Sequence, residues 1–137
     1  MNLATSRYQA ADLILRSGRV PVGITYGNPR WPLPYKLAGN FRQLAPSKDM
    51  FGMEDRCMFE EAYRDKLDRL GVAGVTKLLQ KVVDATGNDR LCLLCFEDLT
   101  KPGLWCHRRL FANWWLEKTG EDVPELEPAV RQERLFQ

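Results

Sequence analysis

Membrane spans, export signals and the common nucleotide motifs are all missing from this chain. Its longest unbroken apolar run, Leu91–Phe96, is far too short to cross a bilayer, so no membrane partner is expected. The opening MNLATSRYQA holds neither a basic leader nor an apolar signal core, which makes the cytoplasm the expected compartment. The P-loop pattern GxxxxGKS/T, GxGxxG, GxSxG and HExxH are absent. Their absence argues against a nucleotide triphosphatase, a dehydrogenase, a serine hydrolase and a zincin. Acids are scarce in the first third, where Asp12 stands alone among residues 1–48. There is one histidine, His107, and without an export signal the four cysteines read as reduced thiols.

What is present fits one globular domain. The 137 residues are 45% hydrophobic and 28% charged, enough to bury a core without disulfides or metal. Net charge is only +2, but its distribution is lopsided. Arg7, Arg16, Arg19, Arg30, Lys36, Arg42 and Lys48 face a single acid, so residues 1–48 carry +6 (7 − 1) and the remainder −4 (13 − 17). A basic segment in a near-neutral chain points to an anionic ligand; the plain alternative is a solvated basic surface.

Hydrophobic spacing predicts alternating strands and helices. Strands are expected over 2–6, 20–26 and 90–96, and helices over 8–17, 54–70, 75–85 and 105–119, with Gly18, Gly71, Gly87 and Gly120 as stops. Residues 27–51 are rich in proline and aromatics and read as a functional loop with a short helix near 35–44. The expected fold is a single α/β domain over 1–120, with a mostly parallel sheet flanked by helices. An acidic, proline-containing tail, 121–137, packs on it or trails from it. In such sheets ligands bind outside the carboxyl ends of the strands. That rule gathers Arg7, Asn28, Arg30, Trp31, Glu97 and the 106–108 corner onto one edge.

The densest chemistry is Cys95-Phe96-Glu97-Asp98 followed by Cys106-His107-Arg108. A zinc site is disfavoured, because Cys92 and Cys95 would point to opposite faces of a strand and Cys106 and His107 are adjacent. Cys106 at a helix start, beside His107 and Arg108-Arg109, suits a thiolate nucleophile, although sequence neighbours do not readily make a thiolate–imidazolium contact. Cys95 and Cys106 could instead be a redox pair, or both could be buried packing residues. Glu97, at the rim of an apolar strand, would serve as acid or base, hold a ligand hydroxyl, or pair with Arg30 or Arg108. Arg30 beside Trp31 suits phosphate capture with a ring for stacking, or a purely structural stack. The Cys106–Arg108 helix start is expected to bind an anion through its free N–H groups and Arg108 or Arg109. Trp114 and Trp115 read as helix-face core.

These motifs carry a resemblance. LLCFE (93–97), WCHRRLFANWW (105–115), TSRY (5–8), VPVGITYGNPRW (20–31) and YKLAGNFRQLAPSKDMF (35–51) resemble the bacterial and phage family catalogued as domain of unknown function four-eighty-eight. Its Cys-x-Glu…Cys-His-Arg signature matches Cys95, Glu97, Cys106, His107 and Arg108; Cys57 and Cys92 lie outside it. The resemblance implies a compact α/β fold and a shared polar site, and no activity. The expectation is a small cytoplasmic enzyme or ligand-processing domain acting on a phosphorylated or nucleotide-like ligand, with a hydrolase or transferase as the enzyme classes such a site would suit. Its catalytic group would be Cys95, Glu97, Cys106 and His107; Arg7, Asn28, Arg30, Trp31 and Arg108 would bind the substrate. No cofactor and no metal are expected. The alternatives are a non-catalytic module binding nucleic acid or protein through the basic, aromatic first third, or a scaffold with structural cysteines.

Overall fold

A computed structural model describes residues 1–97 and 106–126. The expected Thr100–Gly103 loop, Trp105 at the start of the last helix, and the tail beyond Leu126 lie outside them. The order is β1 (Asn2–Arg7), α1 (Ala11–Ser17), β2 (Val20–Gly23), α2 (Arg56–Thr86), β3 (Arg90–Cys95) and α3 (His107–Thr119). The three strands form one all-parallel sheet in the order β1-β3-β2, so the protein is an α/β domain.

The central position of β3 explains its apolar run. Leu91 and Leu93 pack with Leu3, Val22 and the apolar faces of α2 and α3. Cys92 and Leu94 pack on the opposite face with Tyr8 and Ile14. A strand buried on both sides has no place for a polar residue on either alternation. Tyr63, Leu67, Val75 and Leu79 of α2 join Phe111, Trp114 and Trp115 of α3 in the larger core, as expected for the tryptophan pair.

The expected stop at Gly71 is a kink within α2. Its φ of 69° and ψ of 168° break the helical run, and the chain re-enters the helix at once. Asp55 caps the start by accepting from the Met58 N–H at 3.2 Å. Three other expectations need correction. Helix α1 begins at Ala11 because the Tyr8 N–H bonds the Cys95 carbonyl and extends the strand pairing. Strand β2 ends at Gly23, although the Ile24 N–H still reaches the Leu94 carbonyl; residues 38–41 bond its other edge at Pro21 and Gly23. The 35–44 segment holds only a 3₁₀ turn, Arg42–Leu44, followed by a second at Lys48–Met50. Among the described residues no helix is long and apolar enough to cross a membrane.

Candidate functional site

Parallel pairing brings the carboxyl ends of all three strands to one edge, as the sequence predicts. A cavity of about 500 Å³ opens there, outside the ends of β2 and β3. Thr25, Tyr26 and Gly27 line it from the chain just after β2, Phe96 and Glu97 from just after β3, and Cys106 and His107 from the start of α3. Met50, Phe51 and Met53 close it from the turn-rich loop and Phe59 from α2. Helix α2 fixes that loop: the Tyr63 hydroxyl donates to the Leu44 carbonyl at 2.6 Å, and the Lys66 ammonium bonds the Arg42 and Ala45 carbonyls.

Cys95, Cys106 and His107 converge at the back of this cavity. All three are buried, and their ligating atoms lie within 4.8 Å of one another. The structure joins the two cysteines through their Sγ atoms, with the Cα atoms 7.2 Å apart. Cys106 Sγ is also 3.6 Å from His107 Nδ1, the neighbour contact the sequence reading disfavours. Cys106 is the extended N-cap (φ −142°, ψ 147°) and His107 the first helical residue. That change of backbone between the two positions turns successive side chains to one side, which neither a uniform strand nor a uniform helix would do. The opposed directions of Cys92 and Cys95 do hold, since Cys92 faces the α1 side.

His107 is fixed by its surroundings. Its Nε2 meets the Ile24 carbonyl, which can only accept, so Nε2 carries the proton and Nδ1 offers its lone pair to the sulfurs. Burial, with smaller contributions from Arg108 and Lys66, pushes the imidazole down to about 4 against the opposing pull of the Ile24 carbonyl. Tyr63 packs edge-on against the ring at 5.5 Å.

Two expected roles change. Arg108 is buried and fully engaged. Nε and Nη2 donate to Glu125 at 3.0 and 2.9 Å, while Nη1 donates to the Glu97 carbonyl at 2.9 Å and to Cys95 Sγ at 3.0 Å. Arg109 is likewise held, by Thr5 Oγ1 at 2.9 Å and the Val123 carbonyl at 2.7 Å. Neither guanidinium is available to an anion at the start of α3. Glu97 is exposed at the mouth of the cavity, with Oε2 3.7 Å from Cys95 Sγ, and the carboxylate paired with Arg108 is Glu125. The rim position was legible, but the buried salt bridge belongs to the tail.

The remaining residues divide between two places. Asn28 and Trp31 line a shallower groove with Leu33, Tyr35, Leu37 and Asn40. Trp31 reaches the main cavity's rim by packing edge-on against Phe96 at 5.9 Å. Arg30 is exposed and lines neither opening. Arg7 sits half-buried opposite Cys95 at the end of β1. Sequence reasoning missed Tyr26, Phe51 and Arg42, whose guanidinium lies 4.8 Å above the Tyr26 ring. Their signal was the aromatic, proline-rich stretch itself. Comparison with protein-family models, curated proteins and solved structures finds no match to this chain.

Proposed function

We propose that this chain is a small cytoplasmic enzyme, a hydrolase or transferase, that binds a nucleotide-like ligand at the carboxyl edge. Its reactive centre is the cluster of Cys95, Cys106 and His107. One observation carries this reading: Cys106 and His107 form part of the wall of an aromatic-lined cavity of about 500 Å³. A ligand seated there meets the Cys106 sulfur and the imidazole directly, the sulfur as a thiol once its bond to Cys95 is reduced. Tyr26, Phe51 and Phe96 offer ring faces for a planar base. Arg42, outside the lining but stacked on Tyr26, would be the cation for a ligand held against that ring, and Glu97 at the mouth can hold a hydroxyl or carry a proton. A reducing cytoplasm suits the unpaired thiols of Cys57 and Cys92. The motif resemblance adds a bacterial or phage setting without adding a reaction.

Thermal shift across nucleotides, sugar phosphates and oligonucleotides tests this. A nucleotide should raise the melting temperature of the wild type and do so less in Phe51→Ala and Arg42→Ala. No response to any small ligand, or one unchanged in both variants, refutes the reading. The exposed Trp31 beside Arg30 favours a second one, a nucleic-acid-binding face. A response to oligonucleotides alone, lost in Arg30→Ala and Trp31→Ala, would select it.

A further inference from the structure

We infer that Cys95, Cys106 and His107 form a metal-binding site for a thiophilic divalent ion such as zinc, with its fourth position open to the carboxyl-edge cavity. This deepens the proposed reading, resting on it only for what the fourth position would do. Two soft sulfurs and an imidazole nitrogen within 4.8 Å of one another are a donor set that selects zinc over hard cations. In a tetrahedral site with metal–sulfur bonds of about 2.3 Å and metal–nitrogen bonds of about 2.0–2.1 Å, sulfur and nitrogen ligands stand about 3.6 Å apart. Cys106 Sγ and His107 Nδ1 are 3.6 Å apart. Reduction of the Cys95–Cys106 bond by a thiol reductant, two electrons and two protons giving two thiols, lets the sulfurs rotate apart to the roughly 3.8 Å that the same geometry requires. Their Cα separation of 7.2 Å lies beyond the usual range for a disulfide and leaves room for an ion between them.

The surroundings are those of a ligand shell. The Nε2 proton of His107 goes to the Ile24 carbonyl, which fixes the ring and leaves Nδ1 as the donor, the usual outer partner of a metal-bound histidine. Arg108 Nη1 reaches Cys95 Sγ at 3.0 Å, and Glu125 neutralises that arginine. Charge balances as well. Coordination releases the two thiol protons to solvent, and two thiolates, a neutral imidazole and a dication sum to zero in a buried place. Cys106 and His107 face the cavity, so three protein ligands leave the fourth position for water or a ligand atom, the pattern of a catalytic rather than a structural ion. One ground for expecting no metal holds, since Cys92 faces away; the other does not, since Cys106 Sγ and His107 Nδ1 converge.

The test is a cobalt titration of the full chain, reduced and freed of metal by chelation. One equivalent should bind, with tetrahedral ligand-field bands and thiolate-to-cobalt charge transfer, and zinc should displace it. Cys95→Ser, Cys106→Ser and His107→Gln should each weaken binding more than about 100-fold, beyond the 10–100-fold that outer partners cost. Cys57→Ser should leave it unchanged. Circular dichroism of each metal-free variant separates loss of a ligand from loss of the fold. A folded, reduced wild type that takes up no stoichiometric cobalt overturns the inference, as does binding that survives Cys106→Ser or vanishes in Cys57→Ser. Nucleotide thermal shifts on the chelated protein read the cavity independently, so either proposal can fail alone.

Discussion

Replacing Glu125 should destabilise this protein far more than its place in an acidic tail suggests. The Arg108 side chain is only 1% exposed, and Glu125, at 18%, is its counter-charge. Glu125→Ala removes all three hydrogen bonds from Arg108 to the carboxylate and leaves a buried guanidinium with only a carbonyl and a sulfur. Breaking a buried pair from one side costs about 3–5 kcal/mol. Arg108→Ala should fall near the lower end, about 3 kcal/mol, because the partly exposed Glu125 can turn towards water once released. For a chain of this size about 3 °C of melting temperature goes with each kcal/mol, so Glu125→Ala should melt roughly 9–15 °C lower. Replacing both with apolar residues, Arg108→Met with Glu125→Leu, should recover most of the loss, since the desolvation cost leaves with the pair. Urea unfolding of the two single variants and the double variant measures all three. A Glu125→Ala cost below about 1 kcal/mol, together with weaker ligand binding in Arg108→Ala, would refute the architectural role and return Arg108 to the ligand.

Gly23→Ala should cost about 1–3 kcal/mol in urea unfolding by overpacking. An added Cβ would stand 2.5 Å from both Asn40 Oδ1 and the Tyr8 hydroxyl, which grip Thr25 from two sides. Native alkylation read by mass spectrometry should modify exposed Cys57 and spare Cys92 until the chain unfolds, because burial pushes the Cys92 thiol up to about 12. The same shift sets an alkaline limit. A thiol raised from 9.0 to about 12 contributes stability that is complete below about pH 9 and lost at roughly 1.4 kcal/mol per pH unit as pH climbs. Cys92→Ala should therefore flatten the alkaline limb of stability against pH; an unchanged slope would contradict the assigned burial. Phe51→Ala should weaken a stacked nucleotide by about 1–3 kcal/mol in titration calorimetry. Phe51 is 52% exposed, so the melting temperature should move little.

Much of the fold was legible because local pattern and global position agree. The run from Leu91 to Cys95 reads as a strand covered on both faces, and it is the central strand. Periodicity also found both halves of α2, with Gly71 between them in a backbone region where other residues are strained. The errors lie where partners are distant in sequence. Tyr8 has helical spacing with Ala11, Ile14 and Leu15, yet its N–H bonds Cys95 and its hydroxyl bonds Thr25. Which carboxylate neutralises Arg108 depends on where the chain after α3 runs, and composition carries no trace of that path. The motif residues lie close together, but their different placements were not legible. Cys95, Cys106 and His107 cluster, Glu97 stands at the mouth, and Arg108 holds the frame.

That division also places residues 121–126 within the domain rather than outside it. Val123 is 1% exposed and belongs to the core shared by α2 and α3. The Pro124 carbonyl accepts from the Thr5 N–H at 2.9 Å, and the Leu126 N–H donates to the Thr5 carbonyl at 2.9 Å, so the segment pairs along the free edge of β1. Glu125 falls between these two bonds, where a pleated backbone turns its side chain to one face of the sheet. There it meets the Thr5 hydroxyl at 2.7 Å and Arg108. Through Arg108, this edge pairing reaches Cys95 Sγ. A carboxylate chosen by edge pairing thus neutralises the cation that touches one of the three clustered donors, and tail, strand and site are held by one continuous set of contacts. The same segment also reaches the opposite face of the sheet, where Leu126 packs against the cluster of Tyr8, Ile14, Cys92 and Leu94, so loss of the tail pairing should disturb both faces.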